Sequence, residues 1–318
     1  MRREGVKAAV TLNPMRIASL LASATETVCA LGLADALVAI SHECDYPEYV
    51  LDRPRVSRPR FDPTGLAGGE IDAAVRRALA EHGSVYQLDE DALRAAAPDL
   101  ILTQQVCEVC AVPTSLAHQA ARALEGMATV LSLDAHTVEG ILDTVVQVGR
   151  AAGVEERGMA ATTALRGRIA RVQDRVAGRA RPRVLALEWL DPVFVPGHWG
   201  PEMVALAGGD NLAGSSGARS RQVEWSAVSG LDPDVLLVLP CGYDLAGSRA
   251  EAERHADRLR AVAGRAVGAG RAWVVDGSAY FNRSGPRVVD GIEVLARIFH
   301  PDAAPEVTLE GRAEPWIG

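Results

Sequence analysis

The sequence predicts an α/β protein built as two doubly wound α/β lobes, joined by a single long backbone helix, with a ligand cleft between the lobes. Three observations predict it. Short continuous apolar runs alternate with helical patterns along the chain, the signature of buried parallel strands covered by helices on both faces. One long helical pattern separates two such series. The two halves also echo each other: "AAAPDLILTQQVC" (95–107) and "SGLDPDVLLVLPCG" (229–242) both read helix end, Pro-Asp, buried strand, cysteine-bearing loop. The length of 318 residues exceeds the ~250–300 at which single cores stop growing, so two lobes are expected.

The elements follow in order. Residues 1–15 read as an N-terminal tail. A first lobe over 16–153 carries the strands "RIASLL" (16–21), "LVAIS" (37–41), "LILT" (100–103) and "TVLSL" (129–133). The linking segment 154–181 follows. Leu165, Ile169, Val172 and Val176 fall at i, i+4, i+7 and i+11, one stripe of a helix. A helix over Val154–Ala177 would span ~36 Å at 1.5 Å per residue. Gly178 and Pro182 end it. The second lobe, 182–302, carries "RVLALEWL" (183–190), "VLLVLP" (235–240) and "AWVVDG" (272–277), and 303–318 read as a C-terminal tail.

Composition excludes several functions. The net charge is −8, Lys7 is the only lysine, and no basic stripe stands out, so nucleic-acid binding is not expected. No run approaches the ~20 apolar residues of a membrane span, so no membrane insertion is expected. Five cysteines, an odd number, do not suggest a disulfide framework in a chain this long. There is no glycine-rich phosphate loop and no Ser-His-Asp set in convincing context, so the chain reads as a binding protein and not an enzyme.

Open α/β sheets bind ligands beyond the carboxyl ends of their strands. Cys107 and Cys110 stand there in the first half, and Cys241 in the second. A redox couple needs its first thiol at a helix N-terminus, and the next helix opens near Pro113, too late to serve. A metal site drawn from His42, Cys44, Cys107, Cys110, Cys241 or His198 would suit zinc, iron or copper. Cysteines filling tight space at strand ends is the third reading. Asp134 in "DAHTVEG" reads as a helix N-cap, and "GSRAEAERHADRL" (247–259) as a solvated amphipathic helix.

"RIASLLASATETVCALGLADALVAISHECDYPEYV", "LRAAAPDLILT", "GHWGPEMVALAGGDNL" and "DPDVLLVLP" together resemble the helical-backbone (class III) solute-binding proteins of ABC importers. "SHECDYP", "CEVCAVP", "EWLDP", "PGHW", "PCGYD" and "DGSAYFNRSGPR" resemble a subfamily labelled cobalamin-binding. The resemblance implies two rigid lobes holding a metal chelate such as cobalamin or another corrinoid. By motif it points to Tyr46, Trp189, His198, Trp199, Tyr243, Tyr280 and Phe281 as cleft-facing residues, aromatics suiting a broad, partly apolar ring. It gives Arg283 an edge contact to a propionate or amide, and His42 or His198 an axial position on cobalt or iron. An ABC permease is the implied partner, docking on one acidic residue per lobe. Asp91 fits the first position; Ser226 stands at the second, with Glu224 nearby. The start of the chain shows no export signal, so a cytoplasmic location is expected, or a periplasmic or surface one if translation starts upstream. The alternative function is a cytosolic protein holding zinc or iron directly through the cleft cysteines and histidines.

Overall fold

The structure is a computed structural model and describes residues 15–105, 112–123 and 128–318. Cys107 and Cys110 lie outside the described residues.

The N-terminal half folds as β1 (Ile17–Ser19), α1 (Ala22–Ala30), β2 (Leu37–Ile40), β3 (Ser57–Pro59), α2 (Gly68–His82), β4 (Tyr86–Leu88), α3 (Glu90–Ala96), β5 (Leu100–Thr103), α4 (Thr114–Ala123), β6 (Thr129–Ser132) and α5 (Val138–Ala151). Its main sheet is all parallel, in the order β2-β1-β5-β6. Every residue of β1 and β5 is buried, which is why these strands read as unbroken apolar runs and not as alternating patterns.

The C-terminal half continues with β7 (Arg183–Leu187), β8 (Trp189–Leu190), β9 (Val193–Val195), α7 (Gly200–Leu206), β10 (Asp210–Asn211), β11 (Arg221–Gln222), α8 (Trp225–Val228), β12 (Val235–Val238), α9 (Leu245–Arg254), α10 (Ala256–Gly268), β13 (Ala272–Val275), α11 (Gly277–Tyr280), α12 (Val288–Phe299) and β14 (Ala313–Pro315). The order is β10-β7-β12-β13-β14, parallel except for β14. Residues 303–318, read as a tail, are thus part of the lobe. β14 pairs with β13, and Trp316 is fully buried. "AEP" carries no β-branched residue, so nothing local announced that strand.

The echo between the halves is structural. Asp99 before β5 accepts from the Arg16 amide at 2.9 Å and donates its own amide to the Arg16 carbonyl at 2.8 Å. Asp234 before β12 does the same with Arg183, at 2.7 and 2.8 Å. In both halves the Pro-Asp pair clamps the opening of the neighbouring strand.

The spine is α6 (Glu155–Val176), 22 residues and so roughly 33 Å. Gly178 follows with φ +72°, the left-handed conformation that ends helices. Ile169, Val172 and Val176 are buried against the C-terminal core, with Leu165 packed beside them. On the other side α6 lies close on α5. A Cβ at Gly158 would sit 3.1 Å from the Val145 carbonyl, tighter than ordinary contact, so this close crossing favours glycine. No helix among the described residues is long and apolar enough to cross a membrane.

Candidate functional site

The site grows from the carboxyl ends of β7, β12 and β13, where the chain must turn out of the sheet. After β7 it runs through Glu188 and Trp189 into the small β8-β9-β11 sheet. The turn "PGHW" follows. Gly197 is needed there because a Cβ would meet the Ala218 carbonyl at 2.3 Å. His198 holds φ +48° and is pinned on both sides, donating to the Ala218 carbonyl and accepting from Gly217. After β13, Asp276 caps α11 by accepting from Ala279 at 2.7 Å. That turn presents Phe281 to the cleft.

Two neighbouring cavities result, of about 380 and 510 Å³. They share Ile71, Val75, Gln104, Trp189, Cys241 and Asn282 as a common wall. The first is largely apolar, lined by Leu79, Phe194, Trp199, Leu239 and Phe281 with a few polar groups. The second lies towards the N-terminal lobe, under Phe61, Pro63 and Leu66, and reaches Tyr243, Arg254 and Arg283. Both fall in the ~300–1,000 Å³ range of small-molecule sites.

Of the expected site residues, Trp189, His198, Trp199, Tyr243, Phe281, Arg283 and Cys241 line this cleft. Trp199 is anchored, its indole donating to the Phe281 carbonyl at 2.6 Å. Trp189 donates to the Asp191 carbonyl at 2.9 Å and packs on Tyr243, ring centroids 5.4 Å apart. The Tyr243 hydroxyl and His198 Nε2 are buried without a hydrogen-bond partner among the described residues. Burial, helped by His136 and Arg219, lowers the pKa of His198, so its imidazole is neutral at pH 7 and able to act as a ligand.

The other expectations need correction. Tyr46 is 48% exposed and lies under Arg287, at 4.4 Å from guanidinium carbon to ring centroid. Tyr280 sits between Arg287 and Arg312. Neither lines the cleft: α11 turns neighbouring Phe281 inwards and leaves Tyr280 among arginines. Arg283 is at the cleft but already engaged, with two bonds to Asp45 at 2.6 and 2.8 Å. His42 lies outside both linings. Its Nδ1 is 2.8 Å from Ser57 Oγ, and its Nε2 is 3.1 Å from Glu43 but out of line for a hydrogen bond. The Cys44 thiol is 2% exposed, 3.0 Å from Thr25 Oγ1, and pushed up to about 11 by burial. It is an inert core thiol. Among the described residues no three His, Cys, Asp or Glu side chains gather as a metal set.

Two further expectations, one of a helix cap and one of a solvated helix, also change. Thr137, not Asp134, caps α5, accepting from Gly140 at 3.0 Å; Asp134 instead accepts from the Gln105 amide. The segment 247–259 is not one solvated helix, because it breaks at His255 and buries Glu251.

Residues missed by the sequence reading include Ile71, Val75 and Leu79 of α2, which roof the first cavity. Their i, i+4, i+8 spacing was a readable helical stripe. Glu188, just after β7, is a further lining residue. It accepts from Ser220 at 2.7 Å on the cavity wall.

A cleft between two parallel-sheet lobes spanned by one long helix matches known proteins. The model of the family described as "Periplasmic binding protein" covers residues 17–267. The chain belongs to that family. Its members are binding proteins and not enzymes. A curated cobalamin-binding protein of Halobacterium salinarum is 24% identical over 299 residues, covering 92% of this chain and 72% of that one. A vitamin B12-binding protein of Vibrio cholerae is 25% identical over 280 residues, covering 87% and 86%. Among solved structures, a periplasmic heme-binding protein of Pseudomonas aeruginosa superposes with a TM-score of 0.68 at 23% identity, over 91% of this chain and 94% of that one.

Proposed function

We propose that this family member is the solute-binding protein of an ABC importer and holds a tetrapyrrole metal chelate, a corrinoid in first place, between its lobes. The observation that carries the reading is the first cavity's lining, which brings Trp189, Phe194, Trp199 and Phe281 together with Ile71, Val75 and Leu79. Such a lining suits a broad ring, whose burial is driven by its apolar faces. The curated relatives named for cobalamin or vitamin B12 match over most of their length, which supports a corrinoid. Neutral His198 supports an axial contact to the metal. Asp91 on α3 and Glu224 before α8 are exposed, one on each lobe, and are the acids offered to a permease. An importer's solute-binding protein works on the outer side of the membrane, so this reading places the working protein in the periplasm or at the cell surface.

Heme is the second reading, supported by the structural likeness to a heme-binding protein and by the same imidazole. Direct zinc or iron binding is the third, and would rest on Cys107, Cys110 and Cys241. The test is an absorption titration of tag-free protein with cobalamin and with hemin, alongside metal analysis. A one-to-one spectral shift with cobalamin supports the corrinoid; a shift with hemin alone moves the reading to heme. Bound zinc or iron that is lost on Cys107→Ser and Cys110→Ser, with no shift from either chelate, overturns both.

A further inference from the structure

The stretch between β3 and β4 belongs to the N-terminal half by chain order, yet it rests on the C-terminal half. The two strands pair antiparallel, from Ser57 with Leu88 to Pro59 with Tyr86, and the Arg60 amide donates to the Val85 carbonyl at 2.9 Å. That ribbon is a narrow base, and residues 61–84, with helix α2, project from it. Phe61, Pro63 and Leu66 line the second cavity, and Ile71, Val75 and Leu79 line the first. One excursion of the chain therefore contributes to both cavities.

α2 touches the other half at its N-terminus and its middle. A Cβ at Gly68 would sit 2.7 Å from Glu251 Oε1, and one at Gly69 would sit 2.8 Å from Asp191 Oδ2. The two glycines thus let the helix N-terminus close in on carboxylates of the opposite lobe, where the positive end of the helix dipole favours them. Further along, Arg76 donates to Gln222 of β11 at 3.1 Å. Apolar anchoring is thin by comparison. Of the 15 residues of α2 only Gly68 and Ala78 are buried, against seven of the 14 in α5. Ile71, Val75 and Leu79 are half-buried, with apolar surface left open to the cavity. Elements with so little buried surface open locally at low cost. Gly65 and Gly83 flank the helix with φ +78° and +68°, and open space lies where their side chains would stand. Such loop and end positions can absorb the backbone rotation of a hinge.

Resting on the reading above that the ligand lies in this cleft, we infer that residues 61–84 form a lid. α2 lifts from Asp191, Glu251 and Gln222 to admit ligand, then docks again with Ile71, Val75 and Leu79 against it. The walls built from the two sheets stay fixed and only the roof moves. A ligand beneath the stripe covers apolar surface otherwise open to the cavity, so it favours the docked helix. The docked helix in turn slows its release.

Hydrogen exchange on the whole protein tests the lid, first without ligand. Amides of α2 should exchange about tenfold or more faster than those of α5. Gly68→Ala favours the helix itself but sets a methyl against a glutamate held by Arg254 and His255, and should speed exchange in α2 about tenfold further. Asp191→Asn and Gln222→Ala change exposed residues of the other lobe. Each should speed exchange in α2 by about twofold or more and leave α5 unchanged. Cobalamin, used as the probe, should slow exchange in α2 and not in α5. Amides of α2 as slow as those of α5, or indifferent to all three substitutions, overturn the lid. So does cobalamin that binds without slowing α2. If neither cobalamin nor hemin binds, the tetrapyrrole reading falls, while exchange in the ligand-free protein and its variants still decides the lid.

Discussion

The two lobes meet at two very different joints. Behind the cleft, α6 lays an apolar stripe on the C-terminal core and crosses α5 at a glycine contact. At the cleft rim, the joint is ionic. Arg287 grips Glu26 through two bonds of 2.9 and 2.5 Å, and Arg283 grips Asp45. The glutamate side chain is 3% exposed and the two arginines 12–15%. The apolar joint gains free energy wherever surface leaves water. The ionic joint forms only in one geometry, because a buried pair must satisfy its partners fully. The spine therefore supplies stability and the latch supplies register. Together they hold a cleft that is preformed, so little ordering cost falls on binding.

The largest expected effect comes from breaking the latch on one side. Arg287→Ala leaves Glu26 buried with only the single 3.4 Å contact to Arg283, and should cost about 3 kcal/mol in urea unfolding. Replacing both partners, Glu26→Gln with Arg287→Met, should recover part of that loss, which distinguishes an orphaned charge from lost packing. On the spine, Ile169→Ala removes a buried side chain and should cost about 2–4 kcal/mol by the same measurement. If the joints differ as argued, the latch variant also weakens ligand affinity, and the spine variant changes stability alone.

A smaller effect follows from pH. Burial opposes ionisation of Asp45, but its bonds to Arg283 and the charge of Arg287 outweigh that and hold its carboxyl below the usual range. The unfolded side chain titrates near ~3.9. The contribution is complete above that value and is lost as pH falls through the lower folded midpoint. Asp45 is more than half exposed, so solvent screens the pair and the effect is roughly 1 kcal/mol or less. Stability measured from pH 5 down to pH 3 should fall more steeply in the native protein than in Asp45→Asn. The smallest effect is at the exposed Arg166 pair with Glu139: Arg166→Ala should shift stability by under ~1 kcal/mol.

The spine was readable from sequence and the latch was not. Residues 154–177 declare their stripe by spacing alone, and α6 occupies 155–176. The buried strands declared themselves as apolar runs; β5 coincides with "LILT". Local pattern carries no information about a contact between residues 26 and 287, so the latch arginines could only be guessed at. Arg283 was accordingly read as a ligand contact when its charge is spent on Asp45. Trp189, Trp199, Tyr243 and Phe281 line the cavities because they follow strand ends, where α/β proteins open their clefts. Tyr46 and Tyr280 stand outside both cavity linings, because a motif does not say which way a single turn faces. The short strands β3, β4 and β14 had too few residues to show any period.

The most direct test of a preformed, aromatic-walled chelate site uses its own tryptophans. Trp189 and Trp199 line the cleft, so a bound chelate that absorbs in the near ultraviolet must quench their emission. Titration with cobalamin should give saturable quenching with a one-to-one end point, and Trp189→Phe should remove a large share of the amplitude. Quenching that rises linearly without saturating, with cobalamin and hemin alike, would contradict the account.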